Sequence, residues 1–242
     1  MKSAHPEAPI SVSSFLRFIE ETKTNEIAAG NNSDFLFRGQ CIDEPLLPRI
    51  ARLYPKGTLH KIEGLIMDDF KRQSPPFTEF EPKSQWDWLA LAQHHGLPTR
   101  LLDWSYSALA ALWFCVNKPL KKDKDGNHRD GVIWLLKTQP DDFLSFSTME
   151  SPYRQGKTRI FRSRAVSRRI LAFTCHRRIP TGRFVPLEDN VNFKGRLLKI
   201  PIPSNRYMAL REQLTSTGVH SVSLFPDLDG LSRHLEFRYF HD

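Results

Sequence analysis

One run of polar side chains between two apolar segments constrains the fold of this chain more than any other feature. From Gln93 to Trp104 it carries two imidazoles, an amide, a hydroxyl, a guanidinium and a carboxylate. The flanking segments 85–94 and 103–116 have the apolar pattern of buried helices. We therefore predict a rigid loop between two buried helices. Thr99, Arg100 and Asp103 should brace it, and His94 or His95 should face a cleft.

The rest of the chain alternates helix-like and strand-like segments, which predicts an α+β fold. Helices are expected at 13–23, 58–73 and 226–235 and from Ser204 to Gly218, a loop at 25–33, and strands at 34–38, 131–136, 170–174, 196–202 and 220–225. The strand at 196–202 should lie at a sheet edge, because Pro201 cannot donate to a neighbouring strand. We expect a single domain over residues 1–242, with helices around a small mixed or antiparallel sheet.

The chain has a formal net charge of +8, which favours an acidic partner, either nucleic acid or another phosphate-bearing ligand. The excess is concentrated between Arg154 and Arg183, where no acidic residue interrupts the basic ones. This segment is either a solvated basic face or a surface for phosphates. The candidate nucleic-acid-binding residues are Arg159, Arg162, Arg164, Arg168, Arg169, Arg177 and Arg178.

Several classes of protein are disfavoured by missing patterns. The three cysteines show no CxxC spacing, and His94 and His95 would point about 100° apart on a helix, so we expect no metal. P-loop and dinucleotide-binding glycine motifs are absent. The longest apolar run, 108–116, is too short to cross a bilayer, and the first residues lack the apolar segment of a signal peptide. We expect a cytoplasmic protein with no membrane partner.

Arg38 stands at the end of the predicted strand 34–38 and is followed by Gly39. A guanidinium at a strand end, next to a glycine that lets the backbone turn or approach a ligand, is a common anion clamp. Arg38 could equally pair with a buried carboxylate. Both interpretations remain open at this stage.

Two late carboxylates, Asp227 and Asp229, also have two interpretations. Asp227 can cap the terminal helix, or the two aspartates can pair with Arg38 or Arg100. We favour the structural role, because caps and ion pairs outnumber catalytic carboxylates.

Three motifs resemble the FRG domain family, which is named for its Phe-Arg-Gly sequence. They are Phe37-Arg38-Gly39-Gln40, the run 89–104 together with 110–114, and the segment 224–231. The resemblance spans residues 34–235. Family members occur in bacteria and their phages, some of them in defence or toxin-like contexts, so the resemblance implies a toxin or phage-defence role.

A weaker similarity is to ADP-ribosyltransferases, which place an arginine at the end of the first core strand, then a Ser-x-Ser element, then a late acid. Arg38-Gly39 and Ser105-Tyr106-Ser107 match that order. The similarity implies an ADP-ribosyltransferase-like fold with NAD as the cofactor. The residues implied for NAD binding are Arg38, Gly39, Gln40, Gln93, Thr99, Arg100, Asp103 and Ser105, and those implied for catalysis are Arg38, His94, His95, Asp227, Asp229 and Glu236.

In that hypothesis Arg38 holds the NAD pyrophosphate, and one late carboxylate stabilises the oxocarbenium ion as nicotinamide leaves. A competing hypothesis is a non-catalytic nucleic-acid or nucleotide-binding module that uses the basic segment. A third is a metal-independent nuclease with His94 or His95 as acid and base.

Overall fold

The computed structural model describes residues 9–31, 33–53, 59–78, 82–144, 152–153, 158–161, 172–176 and 183–240. Within these ranges the chain forms eight α-helices and two three-stranded antiparallel sheets, so the predicted α+β fold is confirmed. None of the described helices combines the length and the apolar character that crossing a bilayer requires.

The elements have the following bounds. The helices are α1 (Val12–Ala28), α2 (Arg49–Arg52), α3 (Leu59–Gln73), α4 (Gln85–His94), α5 (Ala108–Val116), α6 (Tyr207–Ser216), α7 (Ser221–Leu224) and α8 (Leu228–Phe240). The strands are β1 (Phe35–Gln40), β2 (Leu101–Trp104), β3 (Gly131–Lys137), β4 (Arg159–Phe161), β5 (Ala172–Cys175) and β6 (Leu197–Ile202).

The chain divides into two compact units, each built from separated segments. Unit 1 contains residues 1–44, 105–137 and 197–242, and unit 2 contains residues 45–104 and 138–196. The organisation of residues 1–242 as a single domain stays a prediction.

The sheet of unit 1 has the strand order β1-β3-β6, so β6 lies at an edge, as Pro201 predicts. In its register Arg38 stands opposite Trp134, which stands opposite Lys199. On the outer side of β1, Phe37 exchanges two backbone hydrogen bonds with Ser105, with N···O distances of 2.7 and 2.8 Å. The residue that follows β2 is thereby joined to the first strand of unit 1.

One face of this sheet packs against α1, α5 and α6 in an apolar core. Phe15 and Leu210 are fully buried there together with Phe37. Gly39 lies on the same face as Phe37, because side chains alternate along a strand. A Cβ at Gly39 would stand 1.8 Å from the carbonyl oxygen of Ala111 in α5. The glycine is therefore required by the close approach of α5, which the sequence had left open between a turn and a ligand.

Unit 2 is built around the sheet β2-β5-β4, with α3 and α4 contributing to its core. Leu101 stands opposite Cys175, and the indole Nε1 of Trp104 donates to Thr174 Oγ1 at 3.0 Å. Trp86 packs on Phe161, with ring centroids 5.0 Å apart. The predicted helix at 85–94 is confirmed, and Gly96 ends it with a φ of 80°.

The predicted helix over 103–116 is wrong in its first part. Residues 101–104 form β2, and α5 begins only at Ala108, where the Ser107 hydroxyl accepts from the Ala110 N–H at 3.2 Å. The backbone of β2 is satisfied by β5, which lies some 70 residues further along the chain. The run from Gln93 to Trp104 is therefore not a loop between two helices, because it ends as a strand.

Two further expectations are corrected. Residues 221–224, expected in a strand, form α7, whose first turn is held by mutual capping. The N–H of Ser223 donates to Nδ1 of His220, and the N–H of His220 donates to the Ser223 hydroxyl. Helix α1 also continues to Ala28, into the segment expected to be a loop.

Candidate functional site

Strand β1 presents Arg38 on the face of its sheet that points away from α5, because Phe37 and Gly39 point towards it. On this face Arg38 Nε donates to Gln40 Oε1 at 3.3 Å. Trp134 and Lys199 stand directly across the neighbouring strands and share the face. We call Arg38, Trp134 and Lys199 the Arg38 row.

The middle residue of the Arg38 row is Trp134, whose indole N–H has no acceptor among the described residues. Lys199 Nζ lies 5.5 Å from the centroid of the Trp134 ring. Trp134 is 7% exposed, and its Nε1 finds no hydrogen-bond partner among the described residues. A buried donor without a partner is costly.

A carboxylate lies beside the Arg38 row. Asp43 Oδ2 is 2.6 Å from Lys199 Nζ, and both side chains are more than a third exposed. The next residue, Glu44, accepts from Gln40 Nε2 through its carbonyl at 2.9 Å and lies 3.7 Å from Arg129. Sequence reasoning missed Asp43, since nothing in the pattern distinguishes it from other loop acids.

Ser105 lies next to β1, because its backbone forms a bridge with Phe37. Residues paired across a bridge point to the same face, so the buried Ser105 side chain lies on the Phe37 face. Its hydroxyl accepts from the Ser107 N–H at 3.0 Å and shapes the entry into α5. This geometry gives no support to contact between the Ser105 hydroxyl and a ligand on Arg38.

In unit 2 the polar run forms a chain of hydrogen bonds. Gln93 Nε2 donates to Asp103 Oδ1 at 3.1 Å, and the Thr99 hydroxyl donates to Gln93 Oε1. The Leu101 N–H donates to Thr99 Oγ1 at 3.1 Å. These bonds tie the end of α4 to β2, which confirms the predicted bracing by Thr99 and Asp103. A role of Gln93, Thr99 or Asp103 in cofactor binding stays a prediction.

Arg100 is the third predicted brace and is held most firmly. Its Nε donates to Glu63 Oε1 at 2.7 Å, its Nη2 donates to Glu63 Oε2, and its Nη1 donates to the Pro152 carbonyl at 2.9 Å. Arg100 is 4% exposed and Glu63 3%. Burial alone would lower the pKa of Arg100, but the bonds to Glu63 outweigh it and raise that pKa.

The Arg100 guanidinium also lies 5.0 Å from the centroid of the Tyr153 ring. The edge of Arg100 that could clamp a phosphate is thus occupied by a carboxylate. This geometry gives no support to the expected cofactor-binding role of Arg100, which stays a prediction. Sequence reasoning missed Glu63. Its signal was a single carboxylate on the apolar stripe of α3, four residues before the buried Met67.

His94 and His95 end α4 with their rings edge to face, 5.1 Å between centroids. Desolvation, and then the neighbouring His95, lower the pKa of His94, while Asp103 acts in the opposite direction. His95 lines a cleft of about 480 Å³ together with Phe70 and the buried Ser74. One histidine faces a cleft, as predicted. The nuclease hypothesis stays a prediction.

The three late carboxylates, Asp227, Asp229 and Glu236, have different surroundings. Asp227 Oδ1 accepts from the Gly230 N–H at 2.7 Å and caps α8, as favoured. Asp229 lies 4.0 Å from Arg233. Glu236 lines a cavity bounded by Trp113 of α5 and Arg211 of α6, on the α5 side of the sheet and so opposite Arg38. The expectation that one of these acids completes a site with Arg38 is not supported.

The basic segment is described only in part. Arg159 belongs to β4, and its guanidinium donates to the carbonyl oxygen of Asp141. The other six candidate nucleic-acid-binding residues, Arg162, Arg164, Arg168, Arg169, Arg177 and Arg178, lie outside the described residues. Across the described ranges, no three His, Cys, Asp or Glu side chains come together in a group that could hold a metal ion.

Comparison with curated proteins and with solved structures finds no match. A family model, that of the FRG domain, matches residues 33–124. The match contains the Phe-Arg-Gly motif on β1 and the whole polar run of unit 2, whereas the motif at 224–231 lies beyond it. On this match and on the motifs that the structure brings into β1, α4 and β2, the chain carries an FRG domain.

Proposed function

We propose that this FRG-domain protein binds NAD on the Arg38 row and acts as an ADP-ribosyltransferase-like transferase. The observation that carries the proposal is the row itself. Two cations flank an indole whose buried N–H finds no acceptor in the part of the chain that the structure describes. Neighbouring strands are about 4.8 Å apart, so Arg38 and Lys199 are separated by roughly 10 Å across the sheet. That spacing suits a pyrophosphate with part of an attached ribose.

Arg38 suits the pyrophosphate because a guanidinium can donate two parallel hydrogen bonds to phosphate oxygens. Lys199 supplies a second positive charge, and it would exchange its bond to Asp43 for one to the ligand. The Trp134 N–H would donate to a phosphate or ribose oxygen and so lose its desolvation penalty. Each of these contacts favours a ligand that is both anionic and rich in hydrogen-bond acceptors.

Transfer requires that the bond between the ribose C1′ and nicotinamide breaks, with the electron pair leaving on nicotinamide. The acceptor's oxygen or nitrogen then bonds to C1′ and releases its proton. A carboxylate near C1′ stabilises the oxocarbenium charge in between. We assign this role to Asp43, which lies beside the Arg38 row, because Asp227, Asp229 and Glu236 have other surroundings.

The experiment incubates the purified protein with NAD and a cell lysate, and follows nicotinamide release and transfer of labelled ADP-ribose. We expect Arg38→Ala and Asp43→Asn to lower the rate by at least tenfold, and Arg17→Ala to leave it unchanged. Arg17 is an exposed arginine on α1 and controls for the loss of one charge. No release from the wild-type protein would refute the transferase function. A normal rate in Arg38→Ala would refute the role of Arg38.

A toxin or phage-defence role would follow from consumption of cellular NAD, and it belongs to this proposal. Expression of the wild-type chain in a bacterial host should then slow growth and deplete NAD. Expression of Arg38→Ala at the same level should do neither.

A second candidate function, nucleic-acid binding without catalysis, is favoured by the charge of the segment 154–183. That segment holds ten basic residues and no acidic one. Binding of this kind weakens steeply with salt, because phosphate contacts release counterions. We expect Arg168→Ala to reduce the slope of log affinity against log salt for RNA or DNA by about one. An unchanged slope would count against this function.

A further inference from the structure

Unit 1 contains a cavity of about 470 Å³ that the NAD proposal does not use. It lies among α5, α6, α8 and the segment that follows α5. Its described lining includes three permanent cations, Lys118, Arg211 and Arg233, and one carboxylate, Glu236. Two imidazoles, His220 and His234, complete its polar wall. The volume is within the range of small-molecule sites.

Arg211 is the central observation. Its guanidinium stacks on the ring of Phe237, 3.7 Å from the centroid. Within the part of the chain that the structure describes, it makes no hydrogen bond and no ion pair within 4 Å. Burial lowers the pKa of Arg211, with Glu236 acting against that effect. A half-buried guanidinium held flat by an aromatic ring, with its donors unused, is arranged to receive an anion.

The histidine pair adds a second donor set to the same wall. The His220 and His234 rings lie 4.4 Å apart between centroids. His220 Nδ1 accepts from the Ser223 N–H, so in the neutral ring the proton is on Nε2. That Nε2–H is a donor at neutral pH, and protonation of either ring adds positive charge to the cavity.

The cavity lining also includes an unpaired acceptor and apolar side chains. Asn117 Oδ1 is buried without a hydrogen-bond partner among the described residues. Trp113, Leu120 and Phe237 supply apolar area around it. A ligand that suits this lining carries an anionic group, a hydrogen-bond donor and a flat or apolar body.

We propose that this cavity binds a small phosphate ester of nucleotide size, with its phosphate on Arg211, Lys118 and His220 and a donor group facing Asn117. The site is distinct from the Arg38 row, because the cavity lies on the α5 side of the sheet and Arg38 points to the other side. The proposal does not depend on NAD chemistry, so the two can fail separately.

The test needs a readout that is local to the cavity, since a phosphate could also bind Arg38. Carbon-bound proton resonances of the His220 and His234 rings, assigned with His220→Gln and His234→Gln, supply it. The probes are inorganic phosphate, adenosine 5′-monophosphate and adenosine. We expect both phosphates to shift these resonances, the monophosphate at lower concentration, and adenosine to have no effect.

Variants then assign the anion site. Arg211→Gln should raise the concentration of monophosphate needed for half of the shift by at least tenfold, since it removes a charge-assisted contact. Lys118→Gln, at an exposed residue, should raise it less and serves as the test if Arg211→Gln does not fold. Arg38→Ala and Arg17→Gln should respond as the wild type does. A full response in both Arg211→Gln and Lys118→Gln, its loss in Arg38→Ala, or no shift in the wild type at millimolar phosphate would overturn the proposal.

Discussion

Arg100 donates from Nε and Nη2 to the two carboxylate oxygens of Glu63, and both side chains are almost completely buried. Both residues lie within the FRG match, Arg100 in the polar run and Glu63 in α3. A buried ion pair adds little net stability over an apolar pair, but removing one partner leaves an uncompensated charge in the core. The pair therefore fixes α3 against the start of β2.

We predict that Glu63→Gln lowers the free energy of unfolding by about 3–5 kcal/mol, because Arg100 would stay buried and charged without its counterion. Urea unfolding followed by circular dichroism measures this. The control is Asp69→Asn, which breaks the exposed pair with Arg72 on the same helix and should cost less than about 1 kcal/mol. Equal losses in the two variants would show that the buried pair is not an anchor.

Two glycines should respond in opposite ways to alanine. Gly39→Ala would put a Cβ within 1.8 Å of the Ala111 carbonyl oxygen, so α5 must move, and we expect a loss of about 3 kcal/mol or more. Gly64 lies inside α3, and a Cβ there meets nothing within 4 Å. Gly64→Ala should raise stability by about 0.5–1 kcal/mol through helix propensity. Thermal unfolding of both proteins tests this, and a stable Gly39→Ala protein would contradict the packing of α5.

Thr99→Val tests the hydrogen-bond chain that ties α4 to β2. The change keeps the side-chain volume but removes the donor to Gln93 Oε1 and the acceptor of the Leu101 N–H. We expect a loss of about 1–3 kcal/mol, because buried polar groups would lose their partners. Thr22→Val is the matched control, since Thr22 only bonds back to the Phe18 carbonyl within α1. If both variants unfold at the same urea concentration, the chain is not a brace.

Stability should fall as the pH drops below about 6.5. The pKa values of His94 and His220 are lowered in the folded protein, in both cases first by desolvation and then by a neighbouring histidine. Each group binds its proton more readily when unfolded, so its contribution is complete above the unfolded pKa and is lost as the pH falls through the folded one.

The measurement is urea unfolding at pH 7.5 and at pH 5.5, where carboxylates remain mostly ionised. The double variant His94→Gln with His220→Gln should lose less stability between the two pH values than the wild type does. A double variant at 94 and 220 with the wild-type pH dependence would rule out these two histidines as its source.

Local patterns predicted most helices and the strands whose apolar runs are uninterrupted, such as 131–136. These patterns gave the wrong start of a helix where several neighbouring residues could each act as its N-cap. Asp103, Ser105 and Ser107 can all cap a helix, and only pairing with β5 decides that the chain is a strand until Trp104. Residues 220–225 were expected in a strand, but residues 221–224 form a helix. Mutual capping by His220 and Ser223 outweighed the β propensity of the apolar residues.

Only those residues of the candidate site that belong to one local sequence motif could be predicted. Arg38 was identified from the residues that surround it in the sequence. Its neighbours Trp134 and Lys199 come from strands about 100 and 160 residues later, and only the sheet register brings them together. Glu63 and Arg211 were missed for the same reason, since a buried partner or a cavity wall is a tertiary property. Asp227 was the exception, because helix capping is local.

The most direct test of NAD binding on the Arg38 row is calorimetric titration of the purified protein with NAD. We expect Arg38→Ala to weaken binding by about 10- to 100-fold, which corresponds to loss of one charge-assisted contact of about 1.5–3 kcal/mol. Lys199→Ala should weaken it less, and Arg17→Ala should not change it. Wild-type affinity in the Arg38→Ala protein, or no NAD binding by the wild type, would contradict the claim.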